Sequence, residues 1–381
     1  LMTASSFPPA VFQSFEEKVD PANVAPRLDA LRAAMTKAGV DAFLIPRADA
    51  HRGESVAPRD DRLVWLTGFT GSAGMAIVGP DKAGLFVDSR YTLQAPAQTD
   101  TDKVDIHEWL GAGYSPDLSS YVPKGGTLAY DPWLHTPGEV RSLSEQLGEH
   151  CTIVPHASLV DAIWSDRPGA PVSPIEFLGH NRAGQSAGDK IIAIQASLGT
   201  DRADAAKITN DLRTSLKGVA HIATTDTLTR DLAGLGGAGK TVLIDPSTAP
   251  AAIATTLREA GAKLLEKRDP VLLPKAVKND AELAGMREAH TLDGVALAKF
   301  LAWFDATAPK GGLTEIGIVT ALEAFRREEE TCVDASFDTI SGAGPNGAIV
   351  HYRVTTKTDR TLKPGEIMLV DSGAQYLSGT T

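Results

Sequence analysis

Cysteine is scarce: two in 381 residues, Cys151 and Cys332, far apart in the chain. A disulfide framework and a cysteine metal site are both excluded, and a reducing, cytoplasmic location is the expectation. No apolar run approaches the ~18 residues that a membrane-spanning helix needs, so no membrane partner is expected. The first residues, Leu1-Met2-Thr3-Ala4-Ser5-Ser6-Phe7-Pro8-Pro9, have neither the basic head nor the apolar stretch of a secretory signal. Basic excess is missing as well. With 37 Lys and Arg against 48 Asp and Glu the net charge is −11, and no local basic patch interrupts it, so no nucleic-acid partner is expected. The 35 glycines and 23 prolines stay below the roughly 25–30% that marks low complexity. Two catalytic signatures are also absent: no serine sits in a G-x-S-x-G elbow and no H-E-x-x-H zinc helix occurs.

What remains is 43% hydrophobic and 22% charged, a globular composition long enough for two or three domains. Leu28, Leu31 and Met35 recur at helical spacing, with Pro26 in an early turn and Gly39 as the stop. Val40–Ile45, Met75–Val78 and Leu85–Val87 read as buried strands, which makes an α/β domain. The Pro/Gly-rich stretch Trp164–Pro171 reads as its boundary. Ile191, Ile194, Leu198 and Gly199 echo the first helix and stop weakly, but Lys207–Leu212 reads as a helix start where a strand is expected. Thr241–Asp245 is then a strand and Ala251–Ala262 a helix. Asn279-Asp280-Ala281-Glu282 resembles a capping box leading a helix that carries Leu283, Met286, Leu297, Phe300, Leu301 and Phe304. A second helix from Thr314 and two strands, Ala348–Val354 and Ile367–Asp371, suggest an α+β unit.

Gly234-Leu235-Gly236-Gly237-Ala238-Gly239-Lys240-Thr241 fits G-x-x-x-x-G-K-T. A phosphate loop runs from a strand into a helix whose N-terminal amides face the phosphates. Here a helical segment precedes and a strand follows, so a flexible glycine connection is the reading. The nine histidines are scattered, and His107, His135 and His180 read as surface or capping residues. His51, in the polar loop Asp49–Glu54, reads as a solvated turn or as the border of a substrate site.

The chemistry concentrates near residue 350. Ser341-Gly342-Ala343-Gly344-Pro345-Asn346-Gly347 leads into Ala348-Ile349-Val350-His351-Tyr352, placing a histidine on or beside an apolar strand. Ile367-Met368-Leu369-Val370 runs into Asp371-Ser372-Gly373. A fully apolar strand is expected to bury the carboxylate that ends it, which is costly alone, so Asp371 needs a cation, hydrogen bonds or a metal ion. Spacing alone leaves Asp371 as a turn cap or as a ligand.

Six segments in order resemble Xaa-Pro aminopeptidase (aminopeptidase P) of the three-domain type: Pro46–His51, Leu66–Gly74, Val87–Tyr91, Leu273–Asn279, Gly344–Tyr352 and Val370–Tyr376. The resemblance implies a multidomain α/β and α+β fold. Residues 1–165 and 166–275 would be two creatinase-like domains, and 276–381 the N-terminal part of a pita-bread metallopeptidase domain. It implies two divalent cations, manganese or zinc, with Asp371 as a metal ligand and His351 as the catalytic histidine beside the substrate. A hydroxide bridging the cations would attack the bond before proline at the second position of a peptide. A homodimer is implied too. The family pattern continues after Thr381 with the remaining ligands, and the second domain lacks the expected central strands near 206/207. The expectation is a longer enzyme with segments missing at 206/207 and after 381, these 381 residues being inactive by themselves. The rival readings are a non-catalytic pita-bread protein that binds peptides or proteins, and a prolidase-like dipeptidase.

Overall fold

A computed structural model describes residues 7–17, 19–109, 117–172, 180–186, 214 and 227–381. The chain divides into two compact units, one comprising Val19–Glu176 with Ile191–Pro274, the other Leu1–Lys18, Phe177–Lys190 and Lys275–Thr381.

In the first unit, helix α1 (Val24–Ala38) stops at Gly39, whose φ of 70° is a left-handed cap that glycine adopts without strain. The chain then enters β1 (Ala42–Pro46), joined in sequence by β2 (Gly74–Val78), β3 (Ala83–Asp88), β4 (Asp105–Trp109), β5 (Thr127–Tyr130) and β6 (Thr152–Pro155). They form one sheet in the order β4-β3-β2-β1-β5-β6. β1–β2 and β2–β3 pair antiparallel, whereas β1–β5, β5–β6 and β3–β4 pair parallel. Alternate residues of β1 serve two cores. Phe43 and Ile45 meet Leu28, Leu31 and Met35 of α1, while Ala42 and Leu44 join Leu143 and Leu147 of α2 (Pro137–Leu147). Both faces being covered explains why the strands read as unbroken apolar runs.

α3 (Leu228–Gly237) runs straight through Gly234, Gly236 and Gly237, correcting the expected flexible connection. Gly236 lies against Ala260, where an added Cβ would fall within 2.4 Å of the Ala260 Cβ, so the glycine serves close helix packing. β7 (Thr241–Ile244) follows and pairs in parallel with β8 (Lys263–Glu266), with α4 (Ala251–Glu259) between them. Helix before strand is the order that excludes a phosphate loop. The segment around 206/207, the echo of the first helix and the side chain of His180 lie outside the described residues.

The second unit is built on α5 (Asp280–Thr307) and α6 (Glu315–Arg326). The capping box at Asn279 is formed: its side chain accepts from Glu282 N at 3.0 Å, and Asn279 N donates to Glu282 Oε2 at 2.9 Å. Phe300, Trp303, Ile318 and Leu322 make the core between the two helices. Two antiparallel ribbons follow. β10 (Ile340–Ala343) pairs with β11 (Met368–Asp371), and β9 (Cys332–Ala335) with β12 (Ala374–Tyr376). Residues 349–354 form no strand; Gly344–Ala348 is a 3-10 turn and the chain then loops away. The expected strand Ala348–Val354 is therefore corrected. Glycine and proline at 344–347 start a turn, and its polar groups are bonded by Glu315 instead of by a neighbouring strand.

Candidate active site

Asp371 ends β11 with Ile340 as its register partner. It is exposed, and so are Ile367 and Leu369 on the same segment. This corrects the argument that an apolar strand buries the carboxylate. Its neighbour on the ribbon is a single strand, so one face of the apolar residues stays uncovered.

His351 is also exposed, and it is one of two non-glycine residues with positive φ, at 56° among the described residues. The expected position on a strand is corrected: it sits in a turn just past the 3-10 segment. A histidine there carries backbone strain on the order of 1–2 kcal/mol that the surroundings must hold. β10 links the two candidates, since Ile340 faces Asp371 and Ala343 leads to the turn bearing His351. Along the strand that is roughly 10 Å at ~3.4 Å per residue.

The surroundings are organised by Glu315, wholly buried at the start of α6. Its Oε1 accepts from Ala343 N at 2.7 Å and Asn346 Nδ2 at 3.0 Å. Its Oε2 accepts from Tyr352 Oη at 3.0 Å and Arg360 N at 3.1 Å, and its backbone carbonyl from Ser341 Oγ at 2.9 Å. One carboxylate thus fastens both sides of His351. Burial, opposed by the Thr358 side chain and reinforced by Glu315, pushes the Tyr352 phenol above its ordinary range. Arg360 in turn donates to the Ala343 carbonyl and to Glu366 Oε1.

A second buried group underlies β12. Arg326 grips Asp293 with two bonds, 2.8 Å and 3.2 Å, and both side chains are buried. Asp293 also accepts from Tyr376 Oη at 3.1 Å and Thr381 Oγ1 at 3.0 Å. Burial alone would raise the Asp293 carboxyl, but the Arg326 hydrogen bond and charge, with the two hydroxyls, hold it below the usual range. Sequence reading missed Glu315, Asp293 and Arg326. An acidic residue after a Thr cap is an ordinary helix start, and partners 33 residues apart leave no local signal.

Among the described residues no group of three or more His, Cys, Asp or Glu could hold a metal ion. Asp371 alone does not fit a two-cation centre, because hard cations take several oxygen ligands each. Of the other histidines, His107 stacks on Phe86 and bonds Tyr121 Oη at 2.6 Å. His135 is buried against Tyr130 instead of lying on the surface, because its Nδ1 is held by the Asp131 carbonyl at 2.9 Å. The backbone of His51 closes a turn on Asp49 Oδ1. Both cysteines are buried and free, and among the described residues no helix is long and apolar enough to cross a membrane.

Residues 27–163 and 203–282 match models of the creatinase/prolidase N-terminal domain, and 284–381 matches metallopeptidase family M24. A probable Xaa-Pro aminopeptidase P of Sordaria macrospora is 32% identical, aligned over 94% of this chain and 68% of its own length. The chain belongs to the Xaa-Pro aminopeptidase P family. Aminopeptidase P2 of Arabidopsis thaliana is 31% identical over 423 residues, covering 90% of this chain, and this chain spans 59% of that relative. The aligned length exceeds 381, so the Arabidopsis protein carries segments with no counterpart here. The fold is shared with an X-prolyl aminopeptidase of Caenorhabditis elegans, described as a cytosolic enzyme with a di-nuclear active site. The TM-score is 0.86 at 24% identity, over 94% of this chain and 68% of that one. The architecture is accordingly that of creatinase N-terminal domains followed by an M24 pita-bread domain.

Proposed function

We propose that the whole protein is a metal-dependent aminopeptidase that releases the N-terminal residue from peptides with proline in second position. The observation that carries this reading is the 32% identity to a probable Xaa-Pro aminopeptidase P over 68% of that protein's length. The C. elegans neighbour's di-nuclear site supports a two-metal centre, and its cytosolic description supports a cytoplasmic location; manganese or zinc as the two divalent cations is part of the proposal. A homodimer, and the division at 1–165, 166–275 and 276–381, belong to the same reading.

In this assignment Asp371 is one metal ligand, on the exposed end of β11 where a cation can reach it. His351 is the group beside the substrate peptide, its exposed ring able to donate to the scissile carbonyl. The described residues do not complete a two-cation centre. β10 pairs with the strand that ends in Asp371 and leads into the turn that carries His351, and Glu315 holds that turn.

The test is release of the first residue from an Xaa-Pro-Xaa peptide by the whole protein with added manganese. Cleavage that Asp371→Asn abolishes and His351→Ala lowers by about 10²-fold or more is the expected outcome. A whole protein that binds the peptide without cleaving it overturns the reading in favour of a peptide-binding protein.

A further inference from the structure

The first residues of the chain lie on the unit that bears the candidate site, more than 300 positions away in sequence. Phe7 packs edge-on against Trp303 and Phe325, with ring centroids 5.4 Å and 5.2 Å away. Val11 N donates to Glu323 Oε1 at 2.7 Å, and Phe12 N to Glu323 Oε2 at 3.3 Å, so a nearly buried carboxylate on α6 holds two successive amides. The buried Gln13 side chain reads the backbone of Thr339 from both sides. Its Oε1 accepts from Thr339 N at 2.8 Å and its Nε2 donates to Thr339 O at 3.4 Å. Ser14 O accepts from Arg353 Nη2 at 3.1 Å, and Phe15 O accepts from Thr356 N at 2.9 Å.

The places gripped are not scattered. Thr339 precedes Ile340, the register partner of Asp371. Arg353 and Thr356 lie two and five residues beyond His351. Arg353 is further tied to Asp338 at 3.3 Å, so the segment before β10 and the loop after His351 are laced together under the same stretch of chain. Phe15 packs with Tyr352 and Val354, the apolar cluster beneath that loop.

We propose that residues 7–15 are a positioning strap for the candidate active site, with Gln13 as its central positioning residue. A peptide docks on a receptor surface when its backbone groups and a few side chains are satisfied there, and here the chain supplies its own irregular segment in that way. The strap spans both arms that carry Asp371 and His351, so losing it frees the two side chains relative to each other without touching substrate. Misplacement of reacting groups by an ångström lowers turnover far more than binding. The catalytic consequence rests on the function proposed above; the mechanical one does not.

Hydrogen–deuterium exchange on the whole chain tests the mechanical claim. In Gln13→Ala the amides of Thr339 and Thr356 are expected to exchange about tenfold faster, the effect of one buried backbone pairing left unmade. Leu44 and Ile45, in the six-stranded sheet of the other unit, keep their rates. Gln13→Glu, which retains an acceptor for Thr339 N and loses the donor, falls between Gln13→Ala and the wild type. Unchanged rates at Thr339 and Thr356, or equal acceleration in both units, overturn the proposal. In the whole protein with an Xaa-Pro-Xaa peptide, Gln13→Ala is expected to lower kcat about tenfold with KM within about twofold, partly restored in Gln13→Glu. A wild-type kcat in Gln13→Ala overturns the positioning role. Wild-type protein that cleaves nothing sinks the peptidase reading instead, and the exchange rates then decide the strap by themselves.

Discussion

Replacing Glu315 by glutamine changes one oxygen to an amino group inside a pocket built of donors. Of the four groups that give hydrogen bonds to the carboxylate, Asn346 can turn its amide and Tyr352 its hydroxyl. Ala343 N keeps the remaining oxygen. Arg360 N cannot turn: a backbone N–H fixed 3.1 Å from Oε2 would face another N–H. Leaving one buried donor unpaired costs about 1–3 kcal/mol, and that is the expected loss in Glu315→Gln. Tyr352→Phe deletes a donor that Glu315 and the Thr358 carbonyl share, and in Glu315→Gln the deleted bond is no longer charge-assisted, so the deletion costs less there. The double variant is therefore less destabilised than the two singles combined, by about 0.5–2 kcal/mol in a mutant cycle. A chain of two units need not unfold in one transition, so native-state hydrogen exchange at the Ala343 and Arg360 amides is the assay. A change below about 0.5 kcal/mol at Arg360, or strict additivity in the cycle, refutes the idea that this carboxylate organises the turn around His351.

Arg326→Leu leaves Asp293 buried with only two hydroxyl donors. Breaking a buried pair this way costs about 3–5 kcal/mol, to be read as lost exchange protection at Cys332 and Tyr376, and a loss under 1 kcal/mol speaks against it. His135 responds to acid. Its burial, together with the Arg52 charge and against the Asp131 carbonyl and Glu139, lowers its pKa below the ordinary value. A base whose folded pKa is depressed folds preferentially in the neutral form, so its stabilisation is present above about pH 6.5 and lost as pH falls toward the folded pKa. His135→Gln should lose less stability between pH 7 and pH 5 than the wild type, measured by denaturant unfolding at each pH. Equal losses would show that the ring is already protonated or reached by water.

How far residues alone reach is visible in two stretches. Around α1 and β1 the periodicity, the glycine stop and the apolar strand act locally. Each consequence falls within a few residues of its cause, and the cap at Gly39 and the buried Phe43–Ile45 follow directly. Around 340–371 the same reasoning fails on conformation. Ala348–Val354 is apolar and β-branched enough for a strand, yet no partner strand pairs there among the described residues, and Glu315, which after the Thr314 cap looks like an ordinary helix start, bonds the loop instead. Asp371 fails on burial for a related reason: an apolar neighbour sequence buries a residue only if something covers the strand, and Ile367 is 82% exposed. The family assignment survives both errors, because it depends on which residues follow one another in the chain, whatever backbone carries them. The strap shows the opposite case. Phe7, Gln13 and Phe15 have no motif, and their role lies in contacts 296 or more positions away. Long-range polar anchors of that kind leave no period and no spacing, and only the folded chain brings Gln13 to Thr339.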